Sequence, residues 1–194
     1  MSHHRFMRRA AKGLLFSSIA FSASSYASSY YNCANATGCV AVTSLSATSN
    51  FAKTKYPIVL AHGLGGWSKM FGLVDYFNGI PQDLTKNGAS VYVTKTSSVN
   101  DTEVRGEQLL QQVKTIIAIT GSPKVNLIGH SHGGIDIRYV AGVAPSLVSS
   151  VTAISSPEQG SKMADWTVKI VTEGSAADGL PAGEFNTASL MAIK

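Results

Sequence analysis

Short apolar runs alternate with amphipathic segments along most of this chain. Apolar and β-branched residues fill four runs of strand length, namely PIVLA (57–61), ASVYVT (89–94), KVNLIG (124–129) and SVTAIS (150–155). Three further segments space their apolar residues as helices do, namely 100–121, 133–143 and 161–171. Strands that alternate with helices form a parallel sheet covered on both faces, so the pattern predicts an α/β fold.

The longest amphipathic segment, residues 100–121, carries start and stop signals. Asn100 and Glu103 have the spacing of a capping box, which places the start of the helix at Asn100. Gly121 and Pro123 should end it, because glycine favours the left-handed cap and proline cannot continue a helix.

Residues 1–27 differ in composition from the rest of the chain. They hold four cations and no acid, followed by a short apolar and serine-rich run. Ser25 and Ala27 occupy the small-residue positions of a cleavage site, so we predict a secretory signal peptide over residues 1–27 and export through the periplasm. A membrane anchor would need a longer apolar run. Without the signal, the formal charge of +5 falls nearly to zero, and no nucleic-acid partner is expected.

Residues 28–52 are rich in Ser, Thr, Ala and Asn and show no periodicity. They are therefore predicted to form an N-terminal extension or linker ahead of a single domain over residues 53–194. Cys33 and Cys39 both lie in this segment, and in an exported protein they are expected to form a disulfide. Lipidation is the alternative, but neither cysteine follows a lipobox; two cysteines alone do not make a metal site.

Residues 129–133, GHSHG, fit the pattern G-x-S-x-G. In a nucleophile elbow this pattern lies between a strand and a helix, because the serine must occupy a sharp and strained turn. The predicted strand 124–129 and helix 133–143 supply both flanks. We therefore predict that Ser131 is a nucleophile for acyl transfer.

A second glycine-rich segment, HGLGG, follows the first predicted strand at residues 62–66. Acyl transfer needs two amide donors aimed at the oxyanion, one from the residue after the nucleophile and one from such a loop. The predicted donors are the backbone amides of His132 and Leu64. The alternative is that these glycines only make a tight turn.

Three histidines lie close to these motifs. The two beside the serine are not expected to be its general base, which must reach the serine from a separate loop, and a catalytic role for His62 is the less favoured alternative. His130 is expected to pack under the elbow, His132 to contribute its amide, and His62 to brace the glycine-rich loop. A zinc site made by the three is a remote alternative, because no carboxylate accompanies them at ligand spacing.

Several blocks in this order, among them TKYPIVLAHG, EVRGEQLLQQV and PKVNLIGHSHGG, resemble the secreted true lipases of the Pseudomonas type, from about Lys53 to about Asp165. The resemblance implies an α/β-hydrolase that cleaves triacylglycerols at an oil–water interface. It also implies a structural calcium ion and a membrane-bound foldase. Ser131 matches the nucleophile of that family, and Leu64 and His132 match its oxyanion-hole positions.

The chain departs from the family at several places, one of them at residues 156–160, where the family usually has a Pro-His-x-Gly segment. Ile135-Asp136 is an unusual pair after the glycines, and no histidine follows His132. The triad acid, the triad histidine and the calcium ligands are therefore expected downstream, which makes this an N-terminal fragment with a C-terminal part missing and little activity alone. A short-chain esterase remains an alternative, as does a non-catalytic protein that binds lipid or the foldase.

Overall fold

The computed structural model describes residues 27–35, 38–66 and 75–166. Its strands are β1 (Ala27–Asn35), β2 (Gly38–Ser46), β3 (Ile58–Ala61), β4 (Val91–Thr94), β5 (Val125–His130) and β6 (Val148–Ile154). Its helices are α1 (Ile80–Lys86), α2 (Thr102–Thr120) and α3 (His132–Val143), with a 3₁₀ turn at Pro145–Leu147 and a helical turn at 162–166. Residues 1–26 of the predicted signal and 167–171 of the last predicted helix lie outside the described residues.

The six strands form one sheet in the order β2-β1-β4-β3-β5-β6. Every neighbouring pair is parallel except β1 and β2, which are antiparallel. The prediction of a mostly parallel α/β sheet is therefore confirmed. Among the described helices, none is both long and apolar enough to cross a membrane.

The central strands are buried on both faces, which is why their sequences read as continuous apolar runs. Val59 and Leu127 pack in one cluster with residues of α2 and α3, whereas Ile58 and Leu60 pack in a second cluster with Phe77. Neighbouring residues of β3 thus enter opposite layers, as the alternation of a strand requires. Burying one such side chain contributes about 1.5–3 kcal/mol, so these two layers fix the middle of the sheet.

Helix α2 starts one residue later than predicted. Its N-cap is Asp101, whose side chain accepts a hydrogen bond from the amide of Val104 at 2.9 Å, so the predicted cap at Asn100 is wrong. A carboxylate in this position accepts a hydrogen bond from an amide that has no partner within the helix. Its negative charge is also stabilised by the positive end of the helix dipole. The predicted stop is correct, since Gly121 caps the helix with φ of 66°.

Two strands lie largely within residues 28–52, the segment predicted to be an N-terminal extension or linker. Strands β1 and β2 form an antiparallel hairpin, and β1 also pairs with β4, with Tyr31 opposite Tyr92. The predicted disulfide between Cys33 and Cys39 is confirmed, and Cys33 is buried in the core. The local Ser- and Thr-rich sequence does not predict these strands. The pairing of β1 with β4 stabilises them, because the stability of a strand depends strongly on its neighbours.

Candidate active site

Ser131 lies in the turn between β5 and α3, with φ of 55° and ψ of −128°. Positive φ is strained for a residue with a side chain and persists only where the surroundings enforce it. Here the amide of Ser131 donates to the carbonyl of Ile154 at 2.9 Å, and the amide of Gly134 donates to the carbonyl of Ser131 at 2.9 Å. The turn therefore has the backbone conformation and the strand–turn–helix setting of a nucleophile elbow.

Three glycines let backbone segments approach one another around this turn. A Cβ atom on Gly129 would clash with the carbonyl of Gly133, and one on Gly133 would clash with the carbonyl of Ala61. A Cβ atom on Gly63 would lie 2.7 Å from the Cβ atom of Ser131. The two glycines of G-x-S-x-G are thus explained by sterics, and Gly63 lies against the predicted nucleophile.

The glycine-rich loop and the elbow leave the sheet at the same edge. Strands β3 and β5 are parallel neighbours, and Ala61 pairs with Gly129, so the residues that follow them lie side by side. The amide of Gly65 donates to the carbonyl of Ser98 at 2.6 Å, which ties the loop to the segment after β4. The structure therefore brings the loop that carries Leu64 next to Ser131.

Within the described part of the chain, the two predicted oxyanion donors have no other acceptor. Among the described residues, neither the amide of Leu64 nor that of His132 donates a hydrogen bond. His132 is the first residue of α3, where amides have no partner within the helix and the dipole favours negative charge. Both amides are therefore available, and their role as oxyanion hole stays a prediction.

His62 is buried beneath the glycine-rich loop and bonds only to backbone groups. Its Nε2 accepts from the amide of Thr96 at 3.1 Å, so its Nδ1 carries the hydrogen and donates to the carbonyl of Gly63 at 2.8 Å. Burial is the main cause that lowers the pKa of His62, and the positive charge of Arg105 adds to it. These contacts brace the loop, as predicted for His62.

Tyr76 is a site residue that sequence reasoning missed. Its hydroxyl accepts from the amide of Gly63 at 3.1 Å and lies 2.5 Å from Nδ1 of His130. Since the hydroxyl has one hydrogen and already accepts from Gly63, it can donate to His130. Tyr76 follows no motif in the sequence, so only the fold could reveal this contact. His130 therefore does more than pack.

A buried polar layer lies under the elbow, between α2 and α3. We define it as Thr102, Arg105, His132 and Asp136. Arg105 and Asp136 have fully buried side chains and form an ion pair, with Nη2 to Oδ2 at 2.7 Å and Nε to Oδ2 at 3.0 Å. Nε2 of His132 lies 3.0 Å from Oγ1 of Thr102 and 3.7 Å from Oδ1 of Asp136.

Burial shifts the pKa of two members of this layer in opposite senses. It lowers the pKa of His132 to about 4, and the nearby Arg105 adds to the effect. It raises the pKa of Asp136 to about 6, while the attraction of Arg105 works against that rise. At neutral pH the layer therefore holds a neutral imidazole beside an arginine–carboxylate pair.

None of the histidines in the described part of the chain contacts the hydroxyl of Ser131 through a hydrogen bond. His62 and His132 have committed contacts elsewhere, and the side chain of His130 faces Tyr76. That part of the chain likewise contains no group of three or more His, Cys, Asp or Glu side chains that could hold a metal ion. Neither the triad base nor a calcium ligand can be assigned within these residues.

Comparison with known proteins places this chain in a family. The family model described as "alpha/beta hydrolase fold" matches residues 56–183. A solved lipase of Bacillus licheniformis, BlEst2 in its propeptide form, superimposes with a TM-score of 0.53 at 30% identity, over 61% of this chain and 26% of that one. A metagenomic carboxyl esterase, MGS0156, superimposes with the same TM-score at 15% identity over 79% of this chain and 46% of that one, which supports the fold alone. The chain belongs to the α/β-hydrolase family.

Within that family the similarity is to bacterial triacylglycerol lipases. The chain is 53% identical to the triacylglycerol lipase of Vibrio cholerae serotype O1 over 133 residues, which are 69% of this chain and 42% of that protein. It is 49% identical to the Burkholderia plantarii enzyme over 64% of this chain and 36% of that one, and 50% identical to the Pseudomonas fragi enzyme over 58% and 38%. The predicted resemblance is confirmed, and the chain spans about two fifths of the length of these curated relatives.

Proposed function

We propose that this chain is the nucleophile-bearing part of a triacylglycerol lipase. The observation that carries the proposal is the strained conformation of Ser131, at φ of 55°, on a turn that lies directly against the glycine-rich loop at Gly63. Backbone strain of this kind clusters at functional sites, and the turn between a strand and a helix is the setting of a nucleophile elbow. The similarity to triacylglycerol lipases supports the substrate class.

In the proposed reaction, Oγ of Ser131 attacks the ester carbonyl while a histidine accepts its proton. The oxyanion that forms accepts hydrogen bonds from the amides of Leu64 and His132. The C–O bond to the alcohol then breaks, and the alcohol leaves with the proton from the histidine. Water, deprotonated by the same histidine, attacks the acyl-enzyme and releases the fatty acid and the free serine.

The base and its acid partner are proposed to lie in the part of the relatives' length that this chain does not span. The three histidines of the described residues are poor candidates, because burial and fixed contacts hold His62 and His132, and His130 faces Tyr76. The resemblance to the secreted true lipases also supports calcium ligands in that remaining part. On the same basis, the protein is proposed to be exported, to use a membrane-bound foldase and to act at an oil–water interface.

Ser131→Ala in protein expressed from the intact gene tests the proposal. Hydrolysis of emulsified tributyrin and triolein should fall by at least about 10⁴-fold, since loss of a nucleophile can cost on the order of 10⁶ in turnover. Ser150→Ala is the matched control. Ser150 lies near the start of β6, at the opposite end of the parallel strands from Ser131, where its hydroxyl donates to Asn126. Hydrolysis of soluble short-chain esters alone would indicate an esterase. A folded wild-type protein without ester hydrolysis would contradict the proposal.

A further inference from the structure

The proposed mechanism uses the backbone amide of His132 but assigns no role to the other residues of the buried polar layer. Arg105 and Asp136 are both completely buried, and neither touches Ser131 through a hydrogen bond. A buried ion pair seldom adds net stability, because desolvation of the two charges offsets their attraction. A role in positioning other groups would explain why it occurs under the elbow.

Arg105 donates to two backbone carbonyls as well as to Asp136. Its Nη2 donates to the carbonyl of His62 at 2.8 Å, and its Nη1 donates to the carbonyl of Ser97. His62 directly precedes Gly63 in the glycine-rich loop. Ser97 directly precedes Ser98, whose carbonyl accepts from the amide of Gly65. One guanidinium thus holds both backbone segments that frame Leu64.

Asp136 fixes the orientation of that guanidinium. Its carboxylate accepts from Nε and Nη2 together, a two-point contact that sets the plane of the Arg105 side chain as well as its place. Asp136 belongs to α3, which starts at the residue after Ser131. The pair therefore links the helix behind the nucleophile to the loop in front of it.

We propose that Asp136 is a positioning residue for ester hydrolysis, which acts through Arg105 to hold the amide of Leu64 against the elbow. This inference rests on the proposed function. It assigns no chemical step to Asp136. Arg105 on α2 and His132 on α3 are the charged or titratable groups that face its carboxylate.

A second ion pair in the chain provides the control. Arg138, also on α3, pairs with Glu158, but 59% of the Arg138 side chain and 31% of the Glu158 side chain are exposed. Neither residue is bonded to the glycine-rich loop. Glu158→Gln removes a charge of the same sign as Asp136→Asn does, without touching the network under the elbow.

The test compares kcat and KM for emulsified tributyrin, with protein from the intact gene. We expect Asp136→Asn to lower kcat about 10- to 100-fold while KM changes less than threefold, because a displacement of about 1 Å can cost about 100-fold. Glu158→Gln should leave both constants within twofold of wild type. A double variant, Arg105→Met with Asp136→Leu, removes both charges together and so avoids an unpaired buried ion. Its melting temperature should fall only moderately, because the carbonyls of His62 and Ser97 lose their donor, and its kcat should fall as that of Asp136→Asn does.

Amide hydrogen exchange over residues 62–66 supplies a readout that does not depend on activity. Exchange there should rise at least tenfold in the double variant and stay unchanged in Glu158→Gln. A double variant with wild-type kcat, or with unchanged exchange in the loop, would overturn the inference even if the wild type is an active lipase. A wild type without esterase activity would instead defeat the proposed function, while faster exchange in the double variant would still support the anchoring of the loop.

Discussion

Strands β3 and β5 are neighbours, and a histidine lies at the same end of each. The two histidines differ in burial and in the groups that their rings contact. His62 follows β3, is buried, and bonds through both ring nitrogens to backbone groups. His130 ends β5, is half-buried, and faces the hydroxyl of Tyr76. The residue after β3 and the last residue of β5 therefore direct their rings to different partners, because the sheet sets where each side chain points.

The two strand ends are also held by different means. Side chains fix the segment after β3, because His62 and Arg105 donate to its carbonyls and Tyr76 accepts from the amide of Gly63. The segment after β5 is fixed by the strained turn at Ser131 and by glycines that permit close backbone contact. The first should be sensitive to loss of side chains, and the second to added volume.

The largest expected effect comes from added volume. Gly129→Ala places a methyl group against the carbonyl of Gly133, and Gly133→Ala places one against the carbonyl of Ala61, so either should lower kcat at least about 100-fold by displacing the elbow. Gly142→Ala is the matched control in α3, because nothing lies within 4 Å of its added Cβ. It should stabilise the protein by about 0.5–1 kcal/mol. Esterase kinetics and thermal melting measure both effects, and a fully active Gly129→Ala variant would refute the steric account.

A smaller effect is expected when His62 and His130 are each replaced by alanine, and the loss of stability should differ between the two variants. His62→Ala leaves the amide of Thr96 buried without a partner and opens a cavity, so we expect a loss of about 3–4 kcal/mol in the free energy of unfolding. His130→Ala loses one half-buried contact and should cost about 1 kcal/mol. Urea denaturation at pH 7.5 measures both values. Equal losses would mean that the two strand ends are not held differently.

The pH dependence of the stability of the wild type should show the smallest effect. His132 has a folded pKa near 4, below its usual 6.5, so the unfolded chain binds more protons between these values and stability falls as the pH falls through that window. Asp136 has a folded pKa near 6, above its usual 3.8, so the native state binds more protons there and stability rises as the pH falls. The two contributions oppose each other and nearly cancel in the wild type.

His132→Gln removes only the contribution that falls with pH. Between pH 7 and pH 4 the variant should therefore gain on the wild type by up to about 3 kcal/mol in the free energy of unfolding. Urea denaturation at pH 7, 5.5 and 4 checks this difference. Parallel curves for the two proteins would show that His132 does not titrate as its burial requires.

Much of the parallel sheet could be predicted from the sequence, because each central strand is a short apolar run beside a helical pattern. The elbow was predictable for a similar reason, since G-x-S-x-G fell between such a strand and helix. Two elements could not be predicted from the sequence in this way. The β1–β2 hairpin depends on pairing with β4, and α1 is a seven-residue helix with a proline in its first turn that lacks a clear apolar stripe.

The polar contacts of the site were harder to predict than its backbone. Tyr76 meets His130 across 54 positions of sequence, and Arg105 meets Asp136 across 31, so no local pattern signals either contact. Asp136 was visible only as an unusual residue after the glycines. Its partner became evident once α2 and α3 were packed together, because burial of a charge demands a partner that sequence spacing does not reveal.

Ser131 is the proposed nucleophile of an ester hydrolase. The most direct test treats protein from the intact gene with a fluorophosphonate probe and maps the adduct by peptide mass spectrometry. We expect one modified serine, Ser131, with labelling abolished in Ser131→Ala and retained in Ser150→Ala. An adduct on a different serine, or no adduct on a folded and correctly processed protein, would contradict the claim.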